Sequence, residues 1–379
     1  MHTVNLALQG GGSHGAFTWG VLDRLLAEPR IDLEGLSGTS AGAVNAVALA
    51  SGYARGQAAG RDPRQAARES LSRVWGEVSA WGALGSFQQQ LAGMMWGGLP
   101  AEMVPTKVLA ATWRSLFTPS QSNPLDINPL RDLLEREIDF EAISRHDKLK
   151  IFVSATHVNT GRAVIFTGRH LTSAAVMASA CLPMMFKAVR IDREDYWDGG
   201  YAVNPPLTPL IDLCDSRDLM LVQINPLKRE RLPQTPADIL DRINELTFNA
   251  SLLTQMRSID FINRLIEEGA LQQGRCKHVL LHRVDGGAAM QGYPASTRSS
   301  ADAGMIRKLF ELGRESADRW LERHFLALGH HSTIDVRRDY LDDTRELLPP
   351  HRTAAGDPGT NDVPGFRPWL ARLLKRTRP

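Results

Sequence analysis

The chain has 379 residues, 43% of them hydrophobic, and carries 44 Lys and Arg against 42 Asp and Glu, a net charge of +2. That is enough apolar material for a large core in one or two domains, and so even a balance gives no pointer to nucleic acid. Three scattered cysteines (Cys181, Cys214, Cys276) suit neither a disulfide framework nor a zinc site, and the longest apolar run, Leu91–Ala101, is too short for a bilayer span of about 18 residues.

Thr3–Leu8 is an apolar strand that begins almost at Met1, so no secretory signal is expected and the cysteine usage suits a reducing, cytoplasmic location. Gln9-Gly10-Gly11-Gly12-Ser13-His14-Gly15 follows, and then a helical pattern in Phe17, Val21, Leu22, Leu25 and Leu26. A glycine-rich turn between a strand and a helix presents free N–H groups and can hold an anion. Gly10, Gly12 and Gly15 fit the G-x-G-x-x-G dinucleotide spacing, with Asp32 and Glu34 near the ribose offset. However, Asp32 opens the next strand instead of closing it, and no Gly-Lys-Ser/Thr follows to make a phosphate loop. The better reading is an oxyanion hole, with a purely steric glycine turn as the alternative.

That next strand (IDLEGLS, from Ile31) runs into Gly38-Thr39-Ser40-Ala41-Gly42, before an Ala/Val-rich helix. This is the setting of a nucleophile elbow, where the serine hydroxyl stands at the carboxyl edge of a sheet. If the two strands are neighbours, the glycine turn and Ser40 lie side by side. From Trp81 to Pro105 the chain holds one charge, Glu102, with Phe87, Met94, Met95, Trp96 and Met103, and its glycines and prolines argue against one regular helix. It reads as an acyl-chain wall or lipid-facing flap, or as ordinary core.

Further on, strand-like runs at Lys150–Thr156, Ala163–Thr167, Ala188–Ile191, Leu219–Asn225 and His278–Val284 alternate with helical patterns at Asp126–Glu137, Leu171–Ala180, Pro236–Gly269 and Asp302–Ala327. Asp198-Gly199-Gly200 forms another tight turn, ordinary turn chemistry by itself, but Ser40 needs a base. A histidine from His278, His282 or His324 would follow α/β-hydrolase order, yet such folds lay down several strands before their nucleophile and this chain has room for about two. His14 is a further candidate helper. From Pro349 six basic residues stand against two acidic ones, a net +4; beyond a flexible linker, Phe366, Trp369, Leu370, Leu373 and Leu374 interleave with arginines at helical spacing. That segment reads either as a helix for an anionic membrane surface, contacting it through Trp369 and its arginines, or as a tail docking on its own domain.

Gly10-Gly11-Gly12-Ser13-His14-Gly15, Gly38-Thr39-Ser40-Ala41-Gly42 and Asp198-Gly199-Gly200, in that order and with so early an elbow, resemble the patatin-like phospholipases. Ala178-Ser179-Ala180-Cys181-Leu182-Pro183-Met184-Met185-Phe186 resembles the segment preceding that family's aspartate strand. The resemblance covers roughly Val4–Leu210. It implies a three-layer α/β/α sandwich with a mostly parallel sheet and a Ser-Asp dyad without histidine: Ser40 as nucleophile, Asp198 as proton acceptor, the backbone of Gly10, Gly11 and Gly12 as oxyanion hole, and no metal or cofactor. The expected organisation is a catalytic domain over residues 4–212, an α/β extension over 213–335 that completes or packs on the sheet, and a tail over 336–379. The expected function is hydrolysis of fatty-acyl esters of lipids at a membrane or lipid surface. A non-catalytic lipid-surface protein and a nucleotide-binding enzyme are the alternatives, and oligomeric state is left open. One departure stands out: the family usually has Arg or Lys where this chain has His14, so a side chain that titrates near neutrality replaces a fixed cation and activity is expected to depend on pH through it.

Overall fold

The computed structural model describes residues 1–95, 128–183, 186–229, 232–271, 276–294, 297–298 and 300–341. Strand β1 (His2–Leu8) leads through the glycine turn into α1 (Gly15–Leu26), and β2 (Ile31–Thr39) leads through Ser40 into α2 (Ala41–Ala58). The two strands pair in parallel with Leu8 opposite Gly38, so both turns emerge next to each other at one edge of the sheet.

Helix α3 (Pro63–Met95) comes next, and α4 (Pro129–Glu137) is started by the side chain of Asn128, which accepts from the Leu130 N–H. Of the Trp81–Pro105 segment, the part as far as Met95 is helical within α3. Gly82, Gly85 and Gly93 lie within α3, at a cost of about 1 kcal/mol each that Ala, Leu, Gln and Met neighbours can offset. Residues 96–127, with the rest of the candidate flap, lie outside the described residues, as does the tail 342–379 with Trp369 and its arginines.

Then follow β3 (Lys150–His157), β4 (Ala163–Phe166), α5 (Ser173–Ser179), β5 (Val189–Ile191) and β6 (Glu194–Asp198). After these come β7 (Asp218–Gln223), α6 (Pro236–Glu267), β8 (Leu280–Asp285) and α7 (Ala303–His324). Helix α6 opens on a capping box between Thr235 and Asp238. The eight strands form one sheet in the order β5-β6-β3-β2-β1-β7-β8, with β4 also pairing β3. The β3-β2-β1-β7-β8 run is parallel, and β4, β5 and β6 join antiparallel.

Alternate residues of the central strands feed two separate cores, one on each face, which is why these strands read as continuous apolar runs. Leu6 and Leu8 of β1, Val153 of β3 and Val222 of β7 pack with α1, α2 and α3. Ala7, Phe152 and Leu221 pack on the other face with Leu252, Met256 and Ile259 of α6. The result is a three-layer α/β/α architecture around a mostly parallel sheet. Among the described residues, no helix is long and apolar enough to cross a membrane.

Candidate active site

At the end of β2 the chain turns on Ser40, whose φ of 54° and ψ of −122° are conformations that a side chain seldom adopts. Such a backbone costs about 1–3 kcal/mol and persists only where the surroundings over-determine it. Here they do. The Ser40 N–H donates to Ser179 Oγ at 2.9 Å, and Thr39 Oγ1 lies 2.6 Å from Ser154 Oγ while donating to the Val203 carbonyl at 3.0 Å. The flanking glycines are required by close approach: a Cβ on Gly42 would lie 2.1 Å from the Leu8 carbonyl oxygen, and one on Gly38 2.5 Å from the carbonyl of Gly42.

The glycine turn is held by side-chain amides from the segments that follow β6 and β7 and by Gln9 of its own strand end. The Gly10 N–H donates to Asn204 Oδ1 at 2.6 Å, and Asn225 Nδ2 donates to the Gly10 carbonyl at 2.9 Å. Gln9 Oε1 accepts from the backbone N–H groups of Ile224 and Asn225 at 3.0 and 2.9 Å. This removes Gly10 from the expected oxyanion donors, because its single hydrogen is already used. Gly11 and Gly12 have N–H groups with no described acceptor, and both line the same cavity as Ser40. Ser13 is also in that wall. Gly15 packs against Ala41 and Trp75, and its carbonyl accepts from Asn45 Nδ2 at 3.0 Å, while Trp75 Nε1 donates to Asn45 Oδ1 at 2.9 Å.

Asp198 ends β6 opposite Ala155, fully buried. Its carbonyl accepts from Thr156 Oγ1 at 2.8 Å, its Oδ1 accepts from the Gly200 N–H at 2.7 Å, and its buried Oδ2 has no hydrogen-bond partner. Gly199 packs on Ser154 and Gly200 on Phe248, which brings the turn close to β3 and α6. Burial pushes the Asp198 carboxyl up to about 7, against a lowering by the Gly200 N–H and the Ser40 hydroxyl. Ser40 thus stands close enough to influence the carboxyl, yet Oδ2 lacks a bond of proper geometry. The two groups are juxtaposed and not yet bonded, as is common without substrate.

Ser40 and Asp198 share a cavity of about 510 Å³ whose described lining is mainly apolar. One stripe of α3 (Val74, Val78, Trp81) supplies much of it, with Val44, Leu130 and Leu182, while Asp241, Asn244 and Arg298 add polar groups. None of the histidines weighed as a base lines it. His282 is fully buried on β8 with Asp218 Oδ1 at 2.9 Å, His278 pairs with Glu267 at 2.9 Å, and the His324 ring lies tilted at 46° beside Trp320.

His14 corrects the sequence-based expectation. It is 2% exposed, with Nε2 2.7 Å from Thr297 Oγ1 and its ring edge-on to Tyr293. Burial, with help from the Arg298 and Arg229 charges, lowers its pKa to about 3. A neutral imidazole with that pKa cannot act as a titrating substitute for a fixed cation near neutral pH. Sequence reasoning also passed over Asn204, Asn225, Gln9, Ser154 and Ser179. A polar residue ending an apolar strand, as in Gln9 after Leu8 or Asn225 after Ile224, was the one visible signal for two of them.

Among the described residues, no group of three or more His, Cys, Asp or Glu could hold a metal ion. No curated protein matches the chain. Among solved structures, the crystal structure of VipD from Legionella pneumophila matches at 12% identity and a TM-score of 0.32, over 82% of this chain and 67% of that one. A family model described as patatin-like phospholipase matches residues 6–211, the stretch that contains the glycine turn, the Ser40 elbow and the Asp198 turn. More than half of the sequence is thereby accounted for, and the chain belongs to the patatin-like phospholipase family, a family of lipid acyl hydrolases.

Proposed function

We propose that the protein is a serine hydrolase that cleaves fatty-acyl esters of phospholipids through a Ser40–Asp198 dyad. The observation that carries this reading is the buried, unpartnered Asp198 Oδ2 in the same apolar-walled cavity as the Ser40 hydroxyl. A carboxylate buried from solvent with one oxygen unpartnered is a stronger base than one in water, and a value near 7 suits proton transfer at neutral pH.

In the first step Asp198 takes the Ser40 proton as Oγ bonds to the ester carbonyl carbon, and the carbonyl electrons move onto oxygen. The N–H groups of Gly11 and Gly12 stabilise that oxyanion. Collapse expels the alcohol, which recovers the proton from Asp198 and leaves an acyl group on Ser40. Water, deprotonated by Asp198, then attacks the acyl-enzyme, and Ser40 leaves with the proton. Val74, Val78, Trp81 and Leu182 give the acyl chain an apolar wall.

Turnover of p-nitrophenyl acyl esters of graded chain length by wild type, Ser40→Ala and Asp198→Asn tests the scheme. Wild type is expected to be active, both variants to lose at least about 10²-fold with folding intact, and a fluorophosphonate to label Ser40. Vesicle binding without ester turnover by wild type would instead favour a non-catalytic lipid-surface protein.

A further inference from the structure

The cavity holds a cation that the ester chemistry above does not use. Arg298, far from the motifs in sequence, lines the wall together with Ser40, Asp198 and Phe248. Its Nε is shielded from solvent and has no hydrogen-bond partner, and it forms no ion pair with a described carboxylate. Its guanidinium carbon lies 6.0 Å from the centroid of the Phe248 ring. Asp241 and Glu245 attract it electrostatically while Arg229 repels it. Glu245, however, is already engaged by Arg229 and by Arg242 at 3.2 Å. Among the described residues, Glu245 is thus shared between Arg298's field and two closer arginines.

Arg298 is placed there by the glycine turn. Its carbonyl lies so close to Gly12 that a Cβ on that residue would approach it to 2.3 Å. Thr297 donates its only hydroxyl hydrogen to the Pro294 carbonyl at 2.8 Å, so its contact with His14 must be donated by the Nε2–H of the imidazole. His14 acts as a neutral latch that ties the Arg298 segment to the turn beside Ser40.

Resting on the hydrolase reading, we infer that Arg298 forms an anion subsite in the Ser40 cavity that takes the head-group phosphate of the lipid substrate. The planar guanidinium fork matches a phosphate in two parallel bonds. In a glycerophospholipid only the glycerol separates that phosphate from the acyl esters, a span that a cavity of about 510 Å³ accommodates. A neutral acylglycerol leaves the buried donor unmet, which is the basis of discrimination.

The test uses the full chain and two substrates with the same acyl groups, monomeric dihexanoyl phosphatidylcholine and dihexanoylglycerol. Both are electrically neutral overall, so a difference between them reports the phosphate and not long-range charge. In Arg298→Gln the ratio of kcat/KM values, phosphatidylcholine over diacylglycerol, is expected to fall at least tenfold, with partial recovery in Arg298→Lys. An unchanged ratio, whether both rates persist or both collapse, overturns the subsite.

Calorimetry on the Ser40→Ala protein, with and without Arg298→Gln, supplies a readout without turnover. Phosphatidylcholine is expected to bind at least tenfold more tightly than diacylglycerol, and Arg298→Gln to abolish the difference. Equal binding of the two lipids, or inorganic phosphate binding as tightly as phosphatidylcholine, overturns the head-group assignment. If wild type hydrolyses neither lipid nor any p-nitrophenyl ester, the hydrolase reading has failed, and the calorimetry still decides whether Arg298 takes the phosphate. Melting temperatures of all variants establish that they fold.

Discussion

Replacing Asp198 with Asn separates stability from catalysis at one atom. The amide keeps an oxygen for the Gly200 N–H and places an NH2 where Oδ2 is buried without a partner. The carboxyl has an ordinary value of 3.8 and is pushed up to about 7 by burial. The folded state therefore binds this proton more tightly than the unfolded chain does, and stability falls as the pH rises from about 4 to about 7, with no further loss above. At roughly 1.4 kcal/mol per tenfold change in proton affinity, the full penalty is about 4 kcal/mol. This is an upper bound on what the neutral amide recovers. Asp198→Asn should then be more stable than wild type at pH 8 by up to about 4 kcal/mol and lose that advantage near pH 4. Urea unfolding of both proteins at pH 4, 6 and 8 measures it, and other titrating groups, including His14, cancel in the difference. In parallel, wild-type kcat/KM on a p-nitrophenyl ester should climb toward a plateau above about pH 7, and the variant should lose about 10²- to 10⁴-fold. A stability difference that does not change from pH 4 to 8 would refute the buried-carboxyl reasoning. Robust turnover by the variant would refute the base.

Asn204→Ala removes the acceptor of the Gly10 N–H and leaves that donor buried, so it should cost about 1–3 kcal/mol and reduce kcat more than KM is raised; denaturation and ester kinetics together check this. His14→Arg should destabilise the fold by several kcal/mol, because a fixed charge would enter a buried site already facing Arg298 and Arg229. In wild type the His14 ring should stay neutral from pH 8 to below pH 5 by NMR, and a ring titrating between pH 6 and 7 would show the latch to be wrong.

How much could be read in advance differs from element to element. Periodicity and turn chemistry were enough for β1, the glycine turn, α1, β2 and the helix after Ser40, since these are local and their signals lie within a few residues. Periodicity did not mark β6, which only the resemblance placed before Asp198, because Tyr196 is the one apolar residue of Glu194–Asp198 that is buried and the pairing with β3 is long-range. Trp81–Met95 is helical despite its glycines, because α3 is continued from a well-packed stretch that begins at Pro63.

The sequence by itself marked Ser40 as the nucleophile candidate, because a serine between glycines at a strand-to-helix turn is a local pattern, while Asp198 and the three-layer class came from the resemblance to the patatin-like phospholipases. Tertiary structure decided what each group is able to do. A pKa is set by desolvation and by charges from distant segments, so only the fold could push the Asp198 carboxyl up to about 7 and the His14 imidazole down to about 3. Donation to Asn204 Oδ1 took the Gly10 N–H out of the donor set, and the packing of Arg298 against Gly12 brought a cation into the Ser40 cavity from a segment distant in sequence. No local pattern encodes such contacts, because their partners are joined through space and not along the backbone.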